Sequence, residues 1–363
     1  MRKKWIIIVS ICAVFIVVAT VLGVAMFNLR HKHSLTDAKV YHIYNDRIYY
    51  TRKCVKDNHT KNFETQLTFA EVMAELNNDD RIVVEEDISS SEIFTISSTT
   101  NDTNNLGKNV VVDIDLNNKK IYSMFDLNAT YGNIKFNISN GIIQSQYQHV
   151  FKASGVHGQI EINIRNINCS STGYKNAPLY VENVAQVSVN AYSSSFVSKN
   201  ESMNYSQYGV GVFINNEGTF NFEGCLLEGG DGLHVRRGNI SLRGCELRNS
   251  GLIIQDYQLV DTGFCAVGAS LAANYYANEV GTSSFDIEVD GCFMTTHNSN
   301  RVIYIYQTAK SGCSVNIDQE SGITIKSCKF DEDPDFYHND KVSYLNGLPV
   351  NDGNGCWVCG EIS

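Results

Sequence analysis

The chain has 363 residues and a formal net charge of −10. Beyond residue 27 it carries 26 Lys and Arg against 39 Asp and Glu, a surface that repels phosphate backbones, so nucleic acid is excluded as a partner class. Only 3 Pro against 27 Gly, with abundant Val, Ile, Tyr, Phe and Thr, predicts an all-β chain with tight corners.

In chain order, residues 1–4 form a short basic tail. Residues 5–27 are 23 residues without a charge, long enough to cross a bilayer. A signal-peptide apolar region is usually shorter, although Gly23-Val24-Ala25 offers a weak cleavage site. Arg2, Lys3 and Lys4 precede the span, while Arg30 and Lys32 follow it, which leans slightly toward a large domain outside the cell. The expectation is a single-pass membrane protein with an extracellular C-terminal domain; a secreted chain is the alternative. Eight N-x-Ser/Thr sequons, at Asn58, Asn101, Asn128, Asn137, Asn168, Asn200, Asn204 and Asn239, read either as glycosylation sites or as the chance product of an Asn-, Ser- and Thr-rich chain. Chance is the stronger of the two.

Residues 28–66 read as a polar, irregular stalk or lead-in. A helix starts after them: Thr68 with Glu71 forms a capping box, and Leu67 with Val72 a hydrophobic staple. Phe69, Val72, Met73 and Leu76 fall on one face. This helix is expected to cover the open end of the β-structure on its C-terminal side, because exposed strand edges invite aggregation. Strand-like runs come next at 92–96 and 109–116.

From Ile134 a phrase repeats: alternating apolar residues, a small residue, then often Cys. Its copies are IKFNISNG (134–141), IEINIRNINC (160–169), VSVNAY (187–192), FNFEGC (220–225), ISLRGC (240–245), FDIEVDGC (285–292) and ITIKSC (323–328). Each is a short strand by its period of two. Recurrence at this spacing predicts a solenoid in which each coil buries its face against its neighbours. The interval from Cys245 to Cys292 is long enough to suggest two coils, with GFCAVGAS (263–270) in the second; that from Cys292 to Cys328 suggests one coil with an insertion. Residues 331–363 are read as an irregular cap over the far end.

Five of the 11 cysteines, Cys169, Cys225, Cys245, Cys292 and Cys328, fall at or near one place in the repeat. Stacked strands lie about 4.8 Å apart, within disulfide range, but side chains stacked in parallel suit the bridge torsion poorly. Buried thiols are therefore expected, with the redox state left open. Cys356-Trp357-Val358-Cys359 reads as a local disulfide or as nothing, rather than a redox or zinc motif.

Three features together resemble the right-handed parallel β-helix proteins of the pectate-lyase-like type. They are the helix-then-strand opening TFAEVMAELNNDDRIVVEEDI, the phrase VVDIDLNNKKI and the Cys-ended rungs, covering roughly residues 68–330. The resemblance implies a single β-helix over 67–330, and a superfamily of lyases, glycoside hydrolases, adhesins and tailspikes.

A second strand type precedes the Cys-ended one: PLYVEN (178–183), GVFINN (211–216), GLHVRR (232–237) and VIYIYQ (302–307). Alternation predicts an outward column of Tyr180, Phe213, His234 and Tyr304, and a second of Glu182, Asn215, Arg236 and Tyr306. Aromatic faces beside amides and charges suit sugar rings, so these eight residues are the expected ligand surface. Packing beneath a loop explains the same rings equally well.

Asp231, His234 and Arg236 are the densest catalytic-looking cluster. Arg236 could abstract the proton in β-elimination, with Arg237 ending the strand. Glu182 and Asp231 have the right type for an inverting glycosidase pair. The motifs that mark polygalacturonase-like enzymes are missing; the only Asp-Asp, Asp79-Asp80, ends the capping helix, and Gly155-Val156-His157-Gly158 is not G-H-G. Asp113 and Asp115 share a strand face and have the oxygen chemistry for Ca²⁺, a weak signal beside a solvated face; no cofactor is required. Three functions are compatible with these residues. An adhesin or glycan-binding protein leads, whose partner is a polysaccharide or cell-surface glycan. A lyase or hydrolase on acidic polysaccharide comes second, and a structural spacer third.

Overall fold

The computed structural model describes Val18 and residues 34–44, 47–56, 59–98, 109–146, 149–172, 176–199, 209–250, 267–296, 301–317, 321–334, 341–345 and 347–359. The expected membrane span lies outside these residues apart from Val18. Among the described residues no helix is long and apolar enough to cross a membrane.

The chain is mostly strand, and strands of successive coils pair in parallel, in three ladders. The first runs through residues 40–43, 81–84, 110–115, 134–139, 160–165, 187–192, 218–223, 238–243, 285–290, 322–326 and 342–344. The second joins 119–122, 141–146, 167–172, 195–199, 226–229, 246–249, 293–295 and 329–330. The third joins 92–97, 123–128, 151–154, 179–182, 212–215, 231–237, 269–277 and 301–309. A chain that visits the three ladders in turn, coil after coil, is consistent with a β-helix solenoid.

The repeat encodes this because each copy supplies two physical necessities. Its apolar positions, such as Ile134, Phe136 and Ile138 or Phe285, Ile287 and Val289, are buried in one core. Its small or amide residue turns the corner between the first and second ladders. Asn118, Asn140, Asn166, Ser193, Gly224, Gly244, Gly291 and Ser327 all have φ between 46° and 64°. That left-handed conformation is open to Gly and tolerated by Asn, and Asn166 reinforces the corner by donating to Asn140 Oδ1 at 3.1 Å. Along the axis, Phe94, Phe125 and Phe151 stack with centroids 5.5 and 5.7 Å apart.

The helix Phe69–Glu75 caps this column as expected. Thr68 and Glu71 form the reciprocal capping box, and Phe69 meets Phe94 edge-on at 4.5 Å. Asp80 pins the end of the helical segment, accepting from the amides of Asn77 and Lys39.

Three expectations need correction. Residues 28–66 are not wholly irregular: Val40–Ile43, Ile48–Lys53 and Thr60–Thr65 form an antiparallel meander. Its first strand pairs in parallel with Arg81–Val84, because the tyrosines and isoleucines there give it a buried face. The interval from Cys245 to Cys292 is one coil, since residues 238–243 pair directly with 285–290. Its extra length goes into residues 251–266, outside the described set, and a hairpin between Ala277 and Thr282. Spacing alone cannot tell an insertion from a coil; backbone pairing can. In the C-terminal region, Val342–Tyr344 extends the first ladder and Trp357–Val358 pairs antiparallel with Lys329 and Phe330.

The sulfur column also differs in membership. Cys169 pairs with Phe196 inside the second ladder, whereas Cys225, Cys245, Cys292 and Cys328 each follow a left-handed corner. Cys359 completes the column: its amide donates to Cys328 O at 3.0 Å, and Cys328 N donates to its sulfur at 3.3 Å. These five are buried, unbridged thiols. Hydrogen bonds from neighbouring sulfurs, then burial, raise the Cys292 thiol far above its usual range, so it stays neutral and inert. Iodoacetamide should therefore modify the more exposed Cys313 and Cys356 in the native protein and reach the column only in denaturant. Mass spectrometry checks this; fast native labelling of Cys292 would contradict it.

Candidate functional site

The third ladder brings Tyr180, Phe213 and His234 into register as the sequence predicts. Ala272 then stands between His234 and Tyr304, because strand Ala269–Asn278 is the third-ladder strand of the intervening coil. The rings do stack. His149 lies 4.4 Å from Tyr180, and Tyr180 5.1 Å from Phe213. They are not an open surface, however: Phe213 and His234 are 1% and 0% exposed. Ala177 and Val210, from the turns leading into the strands of this ladder, pack over Phe213 as a second small apolar cluster that includes Tyr180.

The second predicted column is broken by a bulge. Asn215 pairs with Glu182 on one side but with Arg237, not Arg236, on the other. The displaced Arg236 guanidinium lies 5.5 Å from the Phe213 ring and 4.8 Å from that of Tyr276. Glu182 accepts from the Tyr180 hydroxyl and from Asn215 Nδ2. Tyr304 stacks on Tyr306 at 5.1 Å, with the Arg301 guanidinium 4.0 Å from its ring.

Asp231, His234 and Tyr306 do come together, as a buried chain. Asp231 Oδ1 accepts from the amides of Val267, Gly268 and Ala269 at 2.8–3.0 Å. Its Oδ2 lies 2.9 Å from His234 Nδ1, and His234 Nε2 lies 3.0 Å from the Tyr306 hydroxyl. With the carboxylate ionised, Nδ1 carries the proton and Nε2 accepts from Tyr306. Burial lowers the His234 pKa, with Asp231 opposing it. Asp231 thus ties down the backbone of residues 267–269 at the start of strand Ala269–Asn278.

His149 is neutral for the same reason: burial brings it down to about 4, and its Nδ1 accepts from the amide of Ala177 at 3.0 Å. Below pH 6.5 the unfolded chain protonates this histidine while the folded chain does not until about pH 4. Stability is therefore complete above pH 6.5 and is lost as pH falls toward 4, by about 3 kcal/mol. Denaturant midpoints at pH 7 and pH 5 should differ less in His149→Asn than in the native chain; an unchanged difference would contradict this.

Elsewhere the coils leave an open groove. It measures about 690 Å³ and is lined by Asn133, Lys135, Gln159, Glu161, Gln186 and Glu217, among others. It lies where the chain enters the first ladder. Gln159 Nε2 reaches Gln186 Oε1 across one coil, and Lys135 bridges Glu161 at 2.9 Å. The next outward column of the same ladder is an asparagine ladder. Asn163 donates to Asn137 at 2.8 Å, Asn190 to Asn163 at 3.0 Å and Asn221 to Asn190 at 2.9 Å.

Two residues before Asn133 and Gln159 stand Tyr131 and His157, whose rings stack at 5.9 Å. Tyr131 is 46% exposed. Their turns are fixed. Ser98 Oγ donates to Gly132 O at 2.9 Å and accepts from its amide at 3.0 Å, while Gly158 N donates to Ala129 O. A Cβ on Gly158 would sit 2.1 Å from Gly132 O, so only glycine allows the two turns to approach so closely. An exposed ring pair beside stacked amides can hold a sugar face and hydrogen-bond its hydroxyls.

None of these groove residues was expected from the sequence. The signal was present: Tyr131 and His157, Asn133 and Gln159, Lys135 and Glu161, and Asn137 and Asn163 are all one coil of 26 residues apart. Asp113 and Asp115, the weak candidates for Ca²⁺, have partners within the protein. Asp113 bridges Arg81 at 3.0 Å, and Asp115 accepts from Asn117 N and Asn140 Nδ2. Among the described residues no cluster of three or more His, Cys, Asp or Glu is arranged to hold a metal ion.

The site thus belongs to an all-β chain of parallel-paired coils. Compared with protein-family models, curated proteins and solved structures, the chain finds no match in any of the three.

Proposed function

We propose that this chain is a glycan-binding protein, a right-handed parallel β-helix of the pectate-lyase-like type. It is displayed outside the cell on the apolar segment 5–27, as an adhesin or glycan receptor. The observation that carries the reading is the exposed, stacked Tyr131–His157 pair, each ring two residues before an amide, Asn133 or Gln159, that lines the groove. Such a groove spans several coils, so a glycan chain can lie along the axis and repeat its contacts. A lyase or hydrolase acting through Asp231, His234 and Arg236 is the weaker reading, since two of the three are fully buried and occupied in holding the chain. A panel of soluble oligosaccharides titrated into the full-length protein, followed by calorimetry, tests it. Saturable binding without product release supports a receptor; release of unsaturated or reducing ends supports an enzyme. No binding to any member leaves the spacer.

A further inference from the structure

We infer that the groove takes an uncharged, extended glycan and rejects uronate and sialic-acid chains. This rests on the glycan-binding reading and adds the ligand class. Among the described residues, the charged ones that line the groove are Lys135, Glu161 and Glu217. Lys135, which could pair with a sugar carboxylate, already bridges Glu161 at 2.9 Å. Glu161 is held below the usual carboxylate range by Asn163 and then Lys135, so it remains an anion at neutral pH. Glu217 lies 3.6 Å from Arg237 Nε, a long contact at a two-thirds-exposed carboxylate. The lining therefore offers an acidic ligand one occupied cation and two carboxylates, in a chain whose net charge is already −10. A carboxylate entering there loses water without gaining an ion pair.

Most of the polar side chains that remain are amides, beside the Ser188 hydroxyl. Asn133, Gln159 and Gln186 lie on successive coils, each able both to donate and to accept. Hydroxyl and acetamido groups need that dual capacity. The coils repeat at about 4.8 Å, so equivalent amides recur along the axis for an extended chain to meet.

The test compares chitooligosaccharide and cello-oligosaccharide, both uncharged, with oligogalacturonate of equal length, at low and high salt, on the full-length protein. Binding of an uncharged ligand at least about tenfold tighter than oligogalacturonate, with little salt dependence, is the expected result. Glu161→Gln frees Lys135 and should raise affinity for oligogalacturonate by up to about fivefold, narrowing the ratio between the two ligand classes. Equal or tighter binding of oligogalacturonate by the native protein would overturn the ligand class while sparing the glycan-binding reading. Absence of binding to all three would overturn both.

Discussion

Asp231→Ala should destabilise the protein by about 3–5 kcal/mol, the range for removing one partner from a buried charged network. The carboxylate is fully buried and is the acceptor for three backbone amides and one imidazole. Alanine leaves those amides at 267–269 and the His234 N–H facing no acceptor, and each stranded donor carries its own desolvation cost. Water cannot replace the lost oxygens without opening the coil. Asp231→Asn keeps one amide acceptor and should fall between the two. Urea denaturation measures the loss as a lower midpoint at unchanged slope. If Asp231→Ala unfolds at the native midpoint, the Asp231 clamp does no structural work, and a functional role for the Asp231–His234 pair returns.

Much of the fold was legible because burial and backbone geometry impose periodic demands. Phe285, Ile287 and Val289 must face the core, and the residue before Cys292 must adopt positive φ, so FDIEVDGC declares both a strand and a corner. The parts that could not be read are not periodic. No rule of alternation predicts the bulge that puts Arg237 rather than Arg236 opposite Asn215. Nor does alternation reveal that Ala177 and Val210 cover Phe213, since those residues come from turns of individual length. An outward-pointing ring is exposed only if nothing returns over it, and turns decide that.

The groove is hard to read from sequence for a related reason. Tyr131 lies in a bend and His157 in an irregular stretch of strand Phe151–Thr172, both outside the repeated strand phrases. They meet because two consecutive turns have the same length, which keeps the 26-residue offset from Tyr131 through to Asn163. The asparagine ladder lies inside the repeated phrases themselves, as the Asn of IKFN, IEIN and VSVN, but its side chains face outward and so say nothing about the core.

The second large effect concerns binding. Replacing both exposed rings by Tyr131→Ala with His157→Ala should weaken glycan affinity at least about tenfold, as for an aromatic anchor at the centre of an interface. Stability should change by less than about 1 kcal/mol, because Tyr131 is nearly half exposed and His157 is also at the surface. Gly158→Ala should weaken binding as well, by forcing the His157 turn away from Gly132, and should also lower stability. Tyr180→Phe provides the contrast: it removes only the hydroxyl that donates to Glu182 and leaves the buried stack in place.

Calorimetric titration of one uncharged oligosaccharide into the native protein, the Tyr131→Ala/His157→Ala protein and the Tyr180→Phe protein decides where the ligand sits. Loss of at least about tenfold in the double variant, with Tyr180→Phe within about twofold of native, is the result the groove predicts. Native affinity in the double variant with loss in Tyr180→Phe would return the site to the third-ladder column and contradict the groove.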